Sequence, residues 1–134
     1  MTNHHIKKDI KVLVVDDATG SRKMLIKRLR DLGLEKFTEA SDGLDALQQL
    51  EKLNGSIDLI ISDVNMPNMN GVELLRSVRS KENTKRIPFV IISAEVEKKV
   101  MLESMSLGVN NYIIKPFEND DLVEKLEQIE SLHT

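Results

Sequence analysis

Lys11-Val12-Leu13-Val14-Val15-Asp16-Asp17 is a short run of apolar, mostly β-branched residues that ends abruptly on two carboxylates. The run has the length and composition of a strand, and it lacks the polar alternation of a strand with one wet face. Both of its faces are therefore expected to be covered, as in a parallel sheet with helices on each side. The same grammar recurs downstream. Lys36–Ala40 reads as a second strand, and residues 57–62 as a third that stops at Asp63. Residues 88–92 read as a fourth that stops at Ser93, and Asn111–Ile114 as a fifth that stops at Lys115.

Helical spacing fills the intervals. Over residues 20–31, Leu25, Leu29 and Leu32 recur at i, i+4 and i+7, with Gly33 as the stop. Asp42 is placed to cap a helix carrying Leu47, Leu50 and Leu53, which Asn54-Gly55 ends. A loop over 65–70 containing Pro67 leads into a helix with Val72, Leu75 and Val78. Residues 95–107 form a fourth pattern, with Met101 and Met105 one turn apart and Gly108 at its end. The last begins near Asn119, with Asp120 and Asp121 in its first turn, and buries Leu122, Leu126 and Ile129. Acidic residues there suit the positive end of the helix dipole. Five βα units predict an α/β fold: a single five-stranded parallel sheet, doubly wound as (βα)5, in the flavodoxin-like order 2-1-3-4-5. Residues 1–9 read as a polar tail, His4 and His5 included, and residues 10–132 as one domain.

Composition sets wider limits. The 134 residues are 40% hydrophobic and 31% charged, as in ordinary globular domains. No stretch approaches the roughly 18–20 apolar residues of a membrane span, and Met1 to Lys11 lacks the apolar core of a secretory signal. A cytoplasmic protein is the expectation. With no cysteine there is neither a disulfide framework nor a thiolate site. A net charge of −3 argues for no nucleic-acid or membrane partner. Arg22, Lys23, Lys27, Arg28 and Arg30 crowd one helix, as a solvated face or as a docking surface for an acidic partner.

The chemistry gathers at strand ends. Asp16, Asp17, Asp63, Ser93 and Lys115 all follow parallel strands, so they fall on one edge of the sheet, where open α/β sheets bind ligands. Carboxylates sharing a crevice repel, and a hard divalent cation held by oxygen ligands, Mg²⁺, relieves them. A lysine adds a point charge suited to phosphoryl oxygens, and Ser93 a small donor. Such a set stabilises the charge of a phosphoryl group in transfer, and a carboxylate is a competent acceptor for it.

Val14-Val15-Asp16-Asp17, the stretch from Ser62 to Gly71 (Ser-Asp-Val-Asn-Met-Pro-Asn-Met-Asn-Gly), Ser93-Ala94-Glu95 and Tyr112-Ile113-Ile114-Lys115-Pro116-Phe117 together carry a resemblance. They resemble the receiver domain of bacterial two-component response regulators, and within it the single-domain chemotaxis receivers of the CheY-like type. The resemblance implies that Asp63 is the phosphoacceptor and that Mg²⁺ is held by Asp16, Asp17, Asp63 and the backbone carbonyl of Asn65. It implies that Ser93 and Lys115 contact the phosphoryl group, and that Tyr112 changes rotamer when Ser93 moves. Asn65 and Glu95 would tune dephosphorylation, and the bond before Pro116 would be cis. Val64 and Asn70 depart from the pattern, where tryptophan and aspartate are common.

The resemblance further implies a stand-alone, monomeric switch rather than an enzyme acting on other substrates. A sensor histidine kinase of the CheA-like type would phosphorylate it. Its α4-β5-α5 face would bind a flagellar motor switch protein or another target, a phosphatase being a further partner. With no output domain after the last helix pattern, direct DNA binding is not expected. The alternative with the same core is a phosphorelay intermediate that passes the phosphoryl group to a histidine phosphotransfer protein. A haloacid-dehalogenase-type hydrolase needs a general acid two residues past the nucleophile, where Asn65 cannot serve. A flavodoxin-type cofactor binder lacks its phosphate loop after the first strand.

Overall fold

The computed structural model describes residues 6–133. The elements are β1 (Lys11–Val15), α1 (Thr19–Asp31), β2 (Lys36–Ala40), α2 (Gly43–Lys52), β3 (Leu59–Ser62) and α3 (Gly71–Ser80). They continue with β4 (Phe89–Ser93), α4 (Lys98–Ser106), β5 (Asn111–Ile114), α5 (Asn119–Glu127) and a short 3₁₀ turn, Glu130–Leu132. All strand pairs are parallel and the order is β2-β1-β3-β4-β5, as the sequence predicts.

The unbroken apolar runs resolve into two alternating sets. Val12, Val14, Leu59, Ile61, Val90 and Ile92 point to one face and pack with Ile26 and Leu29 of α1 and Leu122 and Leu126 of α5. Leu13, Val15, Ile60, Phe89 and Ile91 point to the other, against Ala46 and Leu50 of α2 and Leu74, Leu75 and Val78 of α3. Each fully buried aliphatic or aromatic side chain contributes about 1.5–3 kcal/mol of transfer free energy. This two-sided core holds the strand ends in register, so the loops above them start from fixed points.

Several boundaries differ from the sequence expectation, each for a local reason. β3 starts at Leu59 because Asp58 is engaged with the start of β1. Its amide donates to the Lys11 carbonyl (2.8 Å) and its carboxylate accepts from the Lys11 amide (2.8 Å). β4 includes Ser93, whose carbonyl accepts from the Lys115 amide (2.9 Å) and so extends the pairing with β5. α4 begins at Lys98 and not at Glu95, since the Glu95 side chain instead accepts from the Glu97 amide (3.0 Å). In α1 the buried stripe is Ile26 and Leu29, while Leu25 and Leu32 are only half-buried. Ile129 is buried, yet it lies past the end of α5.

The start of the chain also departs from a polar tail. Ile6 is 3% exposed, pairs antiparallel with His133, and joins the α1/α5 core with Leu132. The Lys7 amide donates to the Leu132 carbonyl (2.7 Å). One apolar residue in a charged stretch gives no periodicity, so the sequence carried no sign of this clasp. His4 and His5 lie outside the described residues. Among those described, no helix is long and apolar enough to cross a membrane.

Candidate functional site

The C-terminal edge of the sheet gathers Asp16 from the end of β1, Asp63 from the end of β3, Ser93 closing β4 and Lys115 after β5. Lys115 Nζ sits between two of the carboxylates, 3.7 Å from Asp16 Oδ2 and 3.6 Å from Asp63 Oδ2. The repulsion expected between the acids is thus relieved in part by the lysine itself. Lys115 Nζ also donates to Ser21 Oγ on α1 (3.1 Å). Asp16, Ser21, Asp63 and Lys115 line a cleft of about 430 Å³, whose other walls are mainly apolar and include Met24, Leu25, Ile92 and Phe117.

Asp16 and Asp63 are each oriented through the second carboxylate oxygen. Asp16 is buried, and its Oδ1 accepts from the Ala18 amide (2.9 Å) as the chain turns into α1. The Asp16 carbonyl accepts from Arg22 (2.7 Å), which is itself fixed by Glu39 (2.7 Å). Asp63 Oδ1 accepts from the Val64 amide (2.6 Å), which leaves Oδ2 facing Lys115. Asp17 is exposed and makes no ion pair or side-chain hydrogen bond among the described residues. Nor do the described residues include three acidic or histidine side chains close enough to enclose a metal. The donors are nonetheless hard oxygens, the chemistry that Mg²⁺ accepts.

Ser93 is buried, and its hydroxyl accepts from the Glu95 amide (3.1 Å). Asn65 reaches Glu95 across the mouth of the site, Nδ2 donating to Oε1 at 3.4 Å. The Tyr112 hydroxyl donates to the Glu95 carbonyl (2.9 Å). Burial pushes the Tyr112 phenol up from its ordinary pKa, and the charges of Glu95 and Asp63 add to the rise. Tyr112 is therefore tied to the stretch after β4 that leads into α4. The Lys115–Pro116 peptide is cis.

Asp42 caps α2 as the sequence predicts, and it also holds the β3–α3 loop through Asn68, a contact that sequence reasoning missed. Asp42, buried at the start of α2, accepts from Asn68 Nδ2 (2.7 Å) and from the Asp45 amide (2.8 Å). Those two bonds hold its carboxyl below the usual aspartate value, the Asp45 amide being the larger cause. Asn68 takes a positive φ of 65°, a conformation asparagine tolerates better than most residues. At the far end of the loop a Cβ on Gly71 would run into the Asp63 carbonyl, so only glycine lets α3 start this close to Asp63. The departures from the family pattern are accommodated. Asn70 caps α3 in a capping box with Glu73, and Val64 is buried in the α2/α3 core. Asparagine and aspartate cap equally well.

The basic cluster of α1 is largely satisfied within the molecule. Lys23 and Arg22 share Glu39 and hold it below the usual carboxylate pKa, the Lys23 bond being the larger cause. Lys27 pairs with Asp31, Arg28 lies over the Phe117 ring and Arg30 over Phe37. This favours a solvated, internally paired face over a docking surface.

Residues 12–127 match the family described as the response regulator receiver domain. The chain is 42% identical over 124 residues to chemotaxis protein CheY-3 of Vibrio cholerae, covering 92% of this chain and 94% of that one. It is 41% identical over 120 residues to chemotaxis protein CheY of Pseudomonas aeruginosa, covering 90% and 95%. The crystal structure of V. cholerae chemotaxis protein CheY4 superposes with a TM-score of 0.80 at 34% identity, covering 90% of this chain and 98% of that one.

Proposed function

The chain belongs to the response regulator receiver family, and from that premise we propose that it is a phosphorylation switch whose acceptor is Asp63. The observation that carries the reading is the asymmetric hold on Asp63. One carboxylate oxygen is tied to the Val64 amide, and the other faces Lys115 and the open cleft. That free oxygen attacks the phosphorus of a phosphohistidine on a sensor kinase of the CheA type. An O–P bond forms as the P–N bond breaks, and the leaving imidazole keeps the electron pair and takes up a proton. Lys115 and Ser93 receive the new phosphoryl oxygens, a charge and a neutral donor where negative charge collects.

Asp16, Asp17, Asp63 and the Asn65 carbonyl would hold Mg²⁺, which when bound supplies positive charge beside the transferring group. Asp16 is oriented for this by Ala18 and Arg22. Asn65 and Glu95, already bonded across the mouth of the site, are placed to govern entry of the hydrolytic water. Output depends on Ser93 and Tyr112. Both are bonded to Glu95, so a phosphoryl group that draws on Ser93 changes the segment leading into α4. The α4-β5-α5 face then binds its target, and the chemotaxis names of the relatives favour a flagellar motor switch protein over a phosphorelay histidine.

Intact mass after treatment with a small phosphodonor and Mg²⁺ tests the assignment. The wild type should gain one phosphoryl group and Asp63→Asn none. An unmodified wild type, or a mutant labelled equally well, would overturn it.

A further inference from the structure

Lys115 has three ammonium protons to place in a site that is 30% exposed at its own side chain and 9% and 17% exposed at Asp16 and Asp63. Charged hydrogen bonds to carboxylates close to about 2.7–2.9 Å where nothing prevents them. Here both acids stand off, at 3.7 and 3.6 Å, and the one acceptor at hydrogen-bond distance among the described residues is the neutral Ser21 hydroxyl at 3.1 Å. Ser21 lies in the first turn of α1, four residues beyond Asp17 and outside every stretch that carries the family resemblance. Its position on the α1 wall of the cleft draws the ammonium aside, almost equidistant from the two carboxylates and bonded to neither.

We infer that Ser21 is a positioning residue, whose hydroxyl holds Lys115 off Asp16 and Asp63 so that their oxygens stay available to a divalent cation. The inference rests on the metal-site reading proposed above. Its physics is competition: an ammonium and Mg²⁺ are rival cations for the same oxygens. The Lys115–Ser21 bond has an ionised donor and is therefore itself charge-assisted, roughly twice as strong as a neutral one, which lets it compete for the ammonium. Without the hydroxyl, the ammonium closes on the carboxylates, and Mg²⁺ must displace it to bind.

The test is the Mg²⁺ dissociation constant of the unphosphorylated protein, followed by amide NMR. Ser21→Ala should weaken binding about fivefold, the size of one partly exposed ion-pair contact. Folding should be unaffected, because alanine is the better helix former. Ser21→Thr, which keeps the hydroxyl, should bind as the wild type does. In a Lys115→Met background, Ser21→Ala should change nothing, since no ammonium remains to be held. Wild-type affinity in Ser21→Ala overturns the inference, and so does an equal loss in the Lys115→Met background. A wild type that binds no Mg²⁺ overturns the metal-site reading itself, and this inference with it.

Discussion

Helices α3 and α4 are similar in length and lie side by side, yet they are held in opposite ways. α3 buries Val72, Leu74, Leu75 and Val78, begins with a capping box between Asn70 and Glu73, and starts against the Asp63 carbonyl. Its last turn carries Arg79, which donates to the carbonyls of Ile87 (2.7 Å) and Gly108 (2.9 Å) and so ties it to the strands beyond. α4 buries only Ser104, has no side-chain cap, and leaves Leu102 and Met105 exposed, at 52% and 66%. Its first turn carries Lys98 and Lys99, the wrong sign for the positive end of a helix dipole. One helix fixes the loop that follows Asp63, and the other has little packing to lose if it shifts. A switch needs both, because a ligand biases only an element with two accessible states.

The largest expected effect comes from burial. Leu75→Ala in α3 should cost about 2–5 kcal/mol, the range for a fully buried leucine. Leu102→Ala in α4 should stay within about 0.5 kcal/mol, as for an exposed site. Chemical denaturation of the two mutants measures both, and comparable losses would erase the contrast.

A smaller effect concerns the loop that leads into α3. Asp42→Ala removes a cap and the anchor of Asn68, and should cost about 1–2 kcal/mol at neutral pH. The Asp42 carboxyl is held below its ordinary value in the folded state, so its contribution is present above about pH 3.9 and is lost as pH falls towards the folded pKa. The gap between wild type and mutant should therefore narrow in acid. A gap independent of pH would mean that the charge on Asp42 is not what holds the loop.

The smallest effect is electrostatic. Lys98→Glu should stabilise α4 by about 0.3–1 kcal/mol through the dipole. Slower amide exchange across residues 101–107 would show it, with α3 unchanged.

This contrast was only half legible in the sequence. Apolar runs ending in Asp63, Ser93 and Lys115 located the strands and the edge where chemistry gathers, because strand burial and strand ends leave a one-dimensional trace. Val72, Leu75 and Val78 likewise marked the buried stripe of α3. Met101 and Met105 left the same helical trace in α4, yet Met105 is exposed, since periodicity records a face and not what covers it. The Asp42–Asn68 latch and the Ser21–Lys115 contact join residues 26 and 94 positions apart, and no local pattern encodes such pairings. The clasp of Ile6 on His133 was hidden for the same reason.

Charge added at Asp63 should move the α4 side of the molecule and leave α3 in place. Amide NMR maps recorded with and without beryllofluoride and Mg²⁺ address this directly, beryllofluoride standing in for the phosphoryl group. Shifts should run from Ser93 through α4 and β5 to the start of α5, while the amides of residues 74–78 in α3 stay where they were. Shifts confined to the loops around Asp63, or as large in α3 as in α4, would contradict it.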